Sequence, residues 1–523
     1  MRLFAALLLA GACARPAFTP EPGGSPDPTS GGSPAADAGT APAPGNPAPD
    51  AGNASNPPAA APQPTLIDAS DVKGVWAASS DGKTILVSHT PVVAPNYIGD
   101  LTVEHGGKAT VVATQGVRWA QYFSTDGSAF LFSVDNTVHL ARADGTVVPD
   151  LALANGSFSL VGRWLYYQES SSGHWRTWRR VVPDGQPQLI ATGAAGSDSS
   201  GNYQVSHDGE AFSICFFSAP DCQLFLPDSA APIRVPNLSY GATFSPDDKW
   251  AVVGCLLFDS SGASRNLGCH IQFPFPSFSQ DGRRLVVTFD GAAHVITLAT
   301  GEEIVLPVAP QPLLWAVLTP NGQRVVAFSS DRHSLVADVS GGDWMVLTTD
   351  PFSVRGAPDF PIGLAISPDS RIVASSSVSA GVVEAVAGEA VRAVVRKNGN
   401  PMLFATPVFE PAGGHGRAIF YERKTEPGYH LVIGNADGSG DWVEVPNWQG
   451  YARWTGHSVL SNTASAMAPG AYDLFVTPAN GQQTPFLTGV VSSFVTDSVD
   501  HPVLLYVPAS GGLYSIPVPQ PGP

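Results

Sequence analysis

Short apolar segments alternate with turn-forming tetrapeptides along the chain from residue 65 to residue 519. Segments such as Arg284-Leu-Val-Val-Thr-Phe289 and Arg371-Ile-Val-Ala374 are rich in residues that favour β-strands. Glycine and proline, which disfavour helix interiors, number 54 and 48 among 523 residues. No apolar run approaches the roughly 20 residues that a membrane-spanning helix needs. The pattern therefore predicts a large, turn-rich, all-β protein.

The tetrapeptide Ser-x-Asp-Gly, or a variant of it, recurs eleven times between residues 79 and 496, with a mean spacing of about 42 residues. Its Asp can accept a hydrogen bond from the backbone two residues on, and its Gly tolerates positive φ, so each copy predicts a hairpin turn. The clear copies are Ser79-Ser-Asp-Gly82, Ser124-Thr-Asp-Gly127, Ser206-His-Asp-Gly209, Ser245-Pro-Asp-Asp248, Ser279-Gln-Asp-Gly282, Thr319-Pro-Asn-Gly322 and Ser367-Pro-Asp-Ser370. Weaker copies are Ser159-Leu-Val-Gly162, Glu410-Pro-Ala-Gly413, Thr455-Gly-His-Ser458 and Thr496-Asp-Ser-Val499.

A second turn signal follows many of these copies about 20 residues later. Two hairpins per repeat give four antiparallel strands, and four-stranded sheets repeated every 40 to 45 residues are typical of β-propeller blades. The sequence therefore predicts about eleven four-stranded modules. The second signals are His105-Gly-Gly107, Ala143-Asp-Gly145, Pro183-Asp-Gly185, Thr300-Gly301, Ser340-Gly-Gly342, Ala436-Asp-Gly438 and Ala479-Asn-Gly481.

The number of rings is left open by the repeat. Propellers typically close with four to eight blades, so eleven modules favour two rings, divided seven and four at the proline-containing connection 350–362. The last module ends after its third strand, near residues 515–518, and residues 65–69 can supply the missing outer strand. That closure conflicts with a simple division and fits one large ring or two intertwined ones.

Two repeats carry a family resemblance. Phe244-Ser-Pro-Asp-Asp-Lys-Trp-Ala-Val-Val253 and Phe278-Ser-Gln-Asp-Gly-Arg-Arg-Leu-Val-Val287 resemble the WD40-like (PD40) repeat of TolB-type periplasmic propellers. The resemblance covers about seven of the eleven modules and implies the propeller fold. It does not carry over the partner of the TolB proteins, a peptidoglycan-associated lipoprotein.

The first thirteen residues, with a basic Arg2, a short apolar stretch and small residues before Cys13, predict an export signal. The segment resembles a bacterial lipoprotein signal, which implies acylation of Cys13 and, with Ala14 following, an outer-membrane location facing the periplasm or the exterior. Ordinary secretion after cleavage within residues 12–14 is the alternative. Residues 14–64 contain fourteen prolines and predict a disordered tether before the propeller region 65–519.

Four cysteines remain once Cys13 is assigned to lipid. Local pairing, Cys215 with Cys222 and Cys255 with Cys269, is the simplest of the three possible disulfide patterns in an oxidising compartment. A metal site made of the four thiolates is the alternative, but the Cys-x-x-Cys spacing typical of such sites is missing.

The segment His174, Trp175, Arg176, Thr177, Trp178, Arg179 and Arg180 interleaves bases with aromatic residues and is the candidate binding element, for an acidic glycan or peptide. A strand whose arginines lie along tryptophan faces is the structural alternative. Two oxygen-rich segments, 437–441 and Asp497 with Asp500 and His501, are better explained as turns than as metal sites. We expect no metal and no cofactor, and no catalytic motif identifies catalytic residues.

The net charge of −17 argues against nucleic-acid binding, because 44 acids outnumber 27 bases. Two function classes remain. The first is a non-catalytic scaffold, tethered to the cell envelope through Cys13, that binds a protein or a glycan. The second is a polysaccharide lyase or hydrolase acting at an axial funnel, which requires acids and histidines to converge at one mouth.

Overall fold

A computed structural model describes residues 62–90, 98–154, 158–171, 174–194, 202–216, 221–229, 231–236, 241–269, 276–331, 333–347, 364–376, 383–387, 391–397, 400–401, 408–411, 417–423, 429–435, 443–445, 448–455, 457–466, 470–478, 483–496 and 502–519. Every regular element within these ranges is a β-strand, 43 in all. Among them there is no helix of the length and apolarity that would span a membrane. Residues Pro64–Pro523 form one compact unit.

The strands group into eleven antiparallel modules of four strands each, which confirms the predicted all-β propeller fold. Two long strands, β5 (Lys108–Phe123) and β41 (Thr484–Val495), end one module and begin the next. Modules 1 to 4 consist of β2 (Gly74–Ala78), β3 (Thr84–Ser88), β4 (Gly99–His105) and β5 (Lys108–Phe123); β5, β6 (Ala129–Val134), β7 (Thr137–Arg142) and β8 (Val147–Ala154); β9 (Phe158–Val161), β10 (Trp164–Ser171), β11 (His174–Val181) and β12 (Gln188–Ala194); and β13 (Asn202–Val205), β14 (Phe212–Phe216), β15 (Asp221–Phe225) and β16 (Ile233–Pro236).

The remaining modules have the same order of strands, and module 8 carries a short fifth strand, β33 (Asn400–Pro401). Modules 5 to 8 consist of β17 (Thr243–Phe244), β18 (Trp250–Val253), β19 (Leu256–Asp259) and β20 (Ser264–Asn266); β21 (Ser277–Phe278), β22 (Arg284–Phe289), β23 (Ala292–Thr297) and β24 (Glu303–Val305); β25 (Leu313–Leu318), β26 (Arg324–Ser329), β27 (Ser334–Asp338) and β28 (Met345–Val346); and β29 (Leu364–Ile366), β30 (Val373–Ser376), β31 (Val383–Ala387), β32 (Val391–Lys397) and β33 (Asn400–Pro401). Modules 9 to 11 consist of β34 (Val408–Phe409), β35 (Arg417–Arg423), β36 (Tyr429–Asn435) and β37 (Val443–Val445); β38 (Trp448–Thr455), β39 (Ser458–Ala464), β40 (Tyr472–Pro478) and β41 (Thr484–Val495); and β41, β42 (Val503–Pro508), β43 (Leu513–Pro517) and β1 (Thr65–Asp68).

The fourth strand of the last module comes from the beginning of the folded region. Strand β1 pairs antiparallel with β43, with Thr65 opposite Ser515 and Leu66 opposite Tyr514. The prediction that residues 65–69 close the last module is therefore confirmed. Because β1 leads directly into module 1, the same segment joins both ends of the repeat.

In seven of the modules that the structure describes, 1, 2 and 4 to 8, the repeated tetrapeptide forms the turn between the first two strands. In module 1 the Ser79 hydroxyl donates to Asp81 at 2.7 Å and accepts the backbone N–H of Thr84 at 3.0 Å. The buried serine thus links the two strands, and Gly82 closes the turn with a φ of 68°. The same bonds recur at Ser124, Ser206, Ser245, Ser279, Thr319 and Ser367.

Module 3 departs from the predicted turn. Ser159 and Leu160 lie inside β9, and the chain reverses at Gly162 and Arg163, because Val161 pairs with Trp164 across a two-residue hairpin. The prediction of a turn at Ser159–Gly162 is therefore wrong by about two residues, because the chain reverses later.

Apolar side chains fill the spaces between successive modules. Leu505 and Val507 of module 11 share a core cluster with Ile85 and Val87 of module 1, so the succession returns to its start. This arrangement favours one closed ring. The proposed boundary 350–362 lies outside the described residues, and the division into seven and four modules stays a prediction, although Leu347 and Val373 on its two sides share a core cluster.

The modules approach one another most closely through their first strands. Strand β25 of module 7 packs near β21 and β22 of module 6, and β2 of module 1 packs near β41 and β42 of module 11. The first strands therefore lie on the side where the modules converge.

Both disulfides have the predicted local pairing. Cys215 and Cys222 lie opposite each other on β14 and β15 and are bonded, and Cys255 is bonded to Cys269 across the second half of module 5. The first pair is buried in the core between modules 4 and 5.

Candidate functional sites

The first strand of module 2 is irregular at two positions. Its pairing with β6 skips Arg118, between Val117 and Trp119, and skips Tyr122, between Gln121 and Phe123. Extra residues of this kind leave the ladder and redirect their side chains. Arg118 and Tyr122 are accordingly both exposed, on a strand whose neighbours Val117 and Ala120 are buried.

Tyr122 has a backbone conformation that bulky side chains rarely adopt. Its φ is 62°, and its side chain is 45% exposed, so neither glycine-like freedom nor burial explains the conformation. Strained positions of this type cluster at functional sites and persist where surrounding contacts hold them. The ring contacts of Tyr122 are such contacts.

Trp119, Tyr122 and Phe158 form what we call the aromatic group. Trp119 and Phe158 are stacked with centroids 5.4 Å apart, and Tyr122 meets each of them edge-on at 5.7 Å. Phe158 belongs to β9, the first strand of module 3, so the group spans the junction of two first strands. The group presents part of the Tyr122 ring to solvent beside two partly buried rings.

Arg118 is an exposed cation on the same strand as Trp119 and Tyr122. Within the ranges that the structure describes, its guanidinium has neither an ion pair nor a hydrogen bond. An extended strand places Arg118 and Tyr122 at most about 13 Å apart. A ligand with an apolar ring face and an anionic group could contact both the aromatic group and this cation.

The predicted binding segment on β11 divides between two sides of module 3. Trp178 packs on the core shared with module 2, and Arg180 is buried and donates to the carbonyl of Pro183 at 3.1 Å. Arg179 lies on the other side, 4.6 Å above the Trp164 ring, as the structural alternative for this segment predicts. Arg176 is exposed.

The side chains of His174 and Trp175, and the segments holding Cys13, Asp437–Asp441 and Asp497–His501, lie outside the described residues. Among the side chains that are described, no three His, Cys, Asp or Glu residues are grouped so as to hold a metal ion.

A titratable cluster lies where β1 leads into module 1. The Nε2 atom of His89 is 3.0 Å from the Ser70 hydroxyl, and its Nδ1 atom is 3.5 Å from an Asp100 oxygen. The Ser70 hydroxyl donates to Asp68, however, so its proton is not directed at His89. The cluster ties the closing segment to module 1.

Two carboxyls beside His89 have opposite pKa shifts. Burial and the nearby Asp68 raise the pKa of Glu104, whose Oε1 is buried without a hydrogen-bond partner in the described part of the chain. Burial would also raise the pKa of Asp100, but bonds from Thr90 and Ser88 outweigh it and lower that pKa. The raised pKa of Glu104 suits a general acid and the lowered pKa of Asp100 suits a base. Only 8% of Glu104 is exposed, however, which limits its access to a substrate.

Sequence reasoning missed the aromatic group and the His89 cluster. The first depends on two bulges, which change which side chains face solvent without leaving a mark in the hydrophobic pattern. The second brings Asp68 next to residues of module 1 through the closing segment. The aromatic residues before Ser124 were the available signal.

No family model and no curated protein matches this sequence. The structure is similar to the tricorn protease at 11% identity and a TM-score of 0.30, over 86% of this chain and 57% of that chain. It is also similar to a eukaryotic initiation factor, with 12% identity and a TM-score of 0.41 over 80% of this chain and 97% of that chain. A third similar structure is the C-terminal WD40 domain of Sif2, with 11% identity and a TM-score of 0.30 over 68% of this chain and 93% of that chain. At these TM-scores the similarities carry no argument about this chain, whose repeat of four-stranded modules is shown by its own strand pairing.

Proposed function

We propose that this protein is a bacterial lipoprotein of the outer membrane, held by an acylated Cys13, whose propeller binds an envelope protein or glycan without catalysis. The signal-like residues before Cys13 and the proline-rich segment 14–64 support the tether. Several acyl chains bind a membrane stably where one binds only marginally, so a triacylated cysteine would suffice as an anchor.

The observation that carries the binding role is the exposed Tyr122 of the aromatic group, with the exposed Arg118 four residues before it on the same strand. The faces of the sheets are occupied by packing between modules, as the clusters around Leu86 and Leu140 illustrate. The redirected residues of the first strands are not occupied in this way. A surface of this kind suits recognition by stacking and charge.

The tether is tested by fractionating cells that express the wild-type chain or Cys13→Ala. We expect the wild type in the membrane fraction with an N-terminal peptide of acylated mass, and the variant in the soluble fraction. Membrane association of Cys13→Ala, or an unmodified wild-type N-terminus, would contradict acylation.

The binding role is tested by co-sedimentation of full-length Cys13→Ala with isolated envelope fragments. Protease treatment of the fragments abolishes retention if the ligand is a protein, and digestion of their polysaccharides abolishes it if the ligand is a glycan. Absence of retention on untreated fragments would contradict the proposed function.

The segment 174–180 stays a proposed second contact, through Arg176 and Trp175. The replacement Trp175→Ala should weaken co-sedimentation. Trp178→Ala is the matched comparison, because Trp178 packs on the core and its loss should destabilise the fold as well.

The second candidate is a polysaccharide-degrading enzyme. Glu104 and Asp100 favour it, because carboxyls with pKa values shifted apart serve as acid and base in glycoside hydrolysis. Two facts weigh against the enzyme. Glu104 is buried, and it lies on β4, the third strand of module 1, rather than on a first strand. Depolymerisation of an envelope polysaccharide that is lost in Glu104→Gln would support this candidate.

A further inference from the structure

We propose that Arg118 and the aromatic group form a subsite for a sugar ring that carries a carboxylate, so that the ligand is an acidic glycan. This inference rests on the proposed binding function and makes its ligand class specific.

The aromatic group supplies the contact for the sugar ring. One face of a pyranose carries C–H groups and packs on aromatic rings, which combine a large apolar area with a defined orientation. Trp119 and Phe158 are fixed by stacking on each other, and both contact Tyr122 edge-on. Tyr122 is therefore held with part of its ring in solvent before any ligand arrives, which lowers the entropic cost of binding.

The conformation of Tyr122 points to selection for the side chain rather than for the backbone. At a φ of 62° glycine would be free of strain, as it is at Gly116 on the same strand, where φ is 79°. A tyrosine at such a position costs stability, and its exposure means that burial returns little of that cost. Binding by the ring is a function that accounts for both features.

Arg118 supplies the charge. A guanidinium binds a carboxylate through two parallel hydrogen bonds, and Arg118 has no competing partner among the described residues. In a protein of net charge −17, an unpaired arginine at this place offers an anionic polymer a local attraction that the rest of the surface opposes. Arg118 leaves the β-ladder in the same way as Tyr122, so both side chains are redirected on one strand.

An acidic glycan matches this combination better than an acidic peptide. A uronic acid unit holds its apolar face and its carboxylate on one rigid ring, whereas a peptide carboxylate is on a flexible side chain without a ring. The rigid unit loses less conformational freedom when both contacts form.

The test measures binding of tetragalacturonate to the full-length Cys13→Ala protein by isothermal titration. The comparison ligands are tetragalactose, which lacks the carboxylates, and a short polyglutamate. We expect tetragalacturonate to bind more tightly than both, with an affinity that falls as salt concentration rises.

Three variants locate the binding. Arg118→Gln should lower the affinity for tetragalacturonate by about tenfold and remove the preference for it over tetragalactose. Tyr122→Gly should lower the affinity for both sugars by about tenfold. Tyr122→Gly should still fold, because glycine relieves the strained φ, and thermal unfolding checks this. Leu314→Ala is the matched control, since Leu314 is also a redirected, exposed residue of a first strand, and it should bind like the parent.

Equal binding of the acidic and neutral sugars, an unaffected Arg118→Gln or Tyr122→Gly, or no binding of tetragalacturonate overturns the inference. Preference for polyglutamate overturns it too and makes the ligand an acidic peptide. In each of these cases retention on envelope fragments decides separately whether the proposed binding function survives.

Discussion

The carboxylate of Asp248 accepts the backbone N–H of His207 at 2.8 Å, across the boundary between modules 5 and 4. Its other oxygen accepts the N–H of Asp208 at the same distance. Asp248 is the fourth residue of its turn, where most modules have glycine, and its φ is 55°. The turn of one module is thereby bonded to the turn of the module before it.

The same position joins turns elsewhere in two different ways. Ser370 accepts the N–H of Asn321 through its hydroxyl at 2.9 Å. Where glycine is present the turns touch directly, since a Cβ added to Gly322 would lie 3.0 Å from that of Ser279. Close approach as well as φ therefore favours glycine at Gly127, Gly282 and Gly322, whereas at Gly82 only φ does. At Asp248 and Ser370 the side chain instead bonds the neighbouring turn.

Replacing Asp248 should separate the contribution of its side-chain hydrogen bonds from the cost of its positive φ. Asp248→Ala keeps the strained φ and removes acceptors of two backbone N–H groups, and we expect a loss of about 2–4 kcal/mol in unfolding free energy. Asp248→Gly removes the acceptors and relieves φ, so it should cost less. Guanidinium denaturation measures both, and an Ala variant as stable as Gly would contradict the role of φ.

Removal of the closing strand should destabilise the whole folded region. A chain lacking residues 64–69 leaves the edge of β43 unpaired and exposes apolar side chains of module 11, so its thermal midpoint should fall by several degrees or more. Deletion of residues 16–61 is the control, because it leaves β1 in place, and its midpoint should not change. Equal midpoints for the two deletions would refute closure by β1.

Both disulfides should contribute to stability, the longer loop slightly more. The double variant Cys255→Ala with Cys269→Ala opens a link across 14 residues and should lose about 3 kcal/mol, against about 2.5 kcal/mol for Cys215→Ala with Cys222→Ala across 7. Denaturation under non-reducing conditions measures these losses. Mass spectrometry of unreduced peptides checks the pairing, and any cross-pairing would contradict it.

The turn aspartates should make stability depend on pH in the acid range. Burial would raise the pKa of Asp81, but hydrogen bonds from Ser79 and Lys83 and the Lys83 charge outweigh it and lower that pKa from 3.8 to about 2. The ionised form therefore stabilises the folded state above about pH 4, and this contribution is lost as the pH falls toward 2.

Urea unfolding measures the unfolding free energy at several pH values. Between pH 4 and 2 this free energy should fall less for Asp81→Asn than for the wild type. Asp71→Asn is the control, because Asp71 is exposed and belongs to no turn motif. An unchanged decline in Asp81→Asn would mean that this turn does not contribute to acid sensitivity.

Much of the fold was predictable because its determinants are local. Ser79 and Asp81 are two residues apart and form their turn from bonds within six residues, so the repeat could be counted without knowing how the modules pack. The disulfides were predictable for the same reason, since each joins cysteines within one module. The turn at Gly162 was misplaced because Ser159 continues the strand there.

The all-β class and the eleven modules could be read from the residue pattern, because turn chemistry and strand pattern repeat at short range. The closing strand could be inferred because the last repeat lacks a fourth strand, although β1 and β43 are far apart in the chain. Tertiary structure alone decided that Arg118 and Tyr122 leave their ladder, that Phe158 completes the aromatic group, and that Asp68 reaches His89. It also divided the basic aromatic segment of β11 between two packed faces. These relationships depend on how neighbouring modules approach each other, a distance that no local pattern of residues encodes.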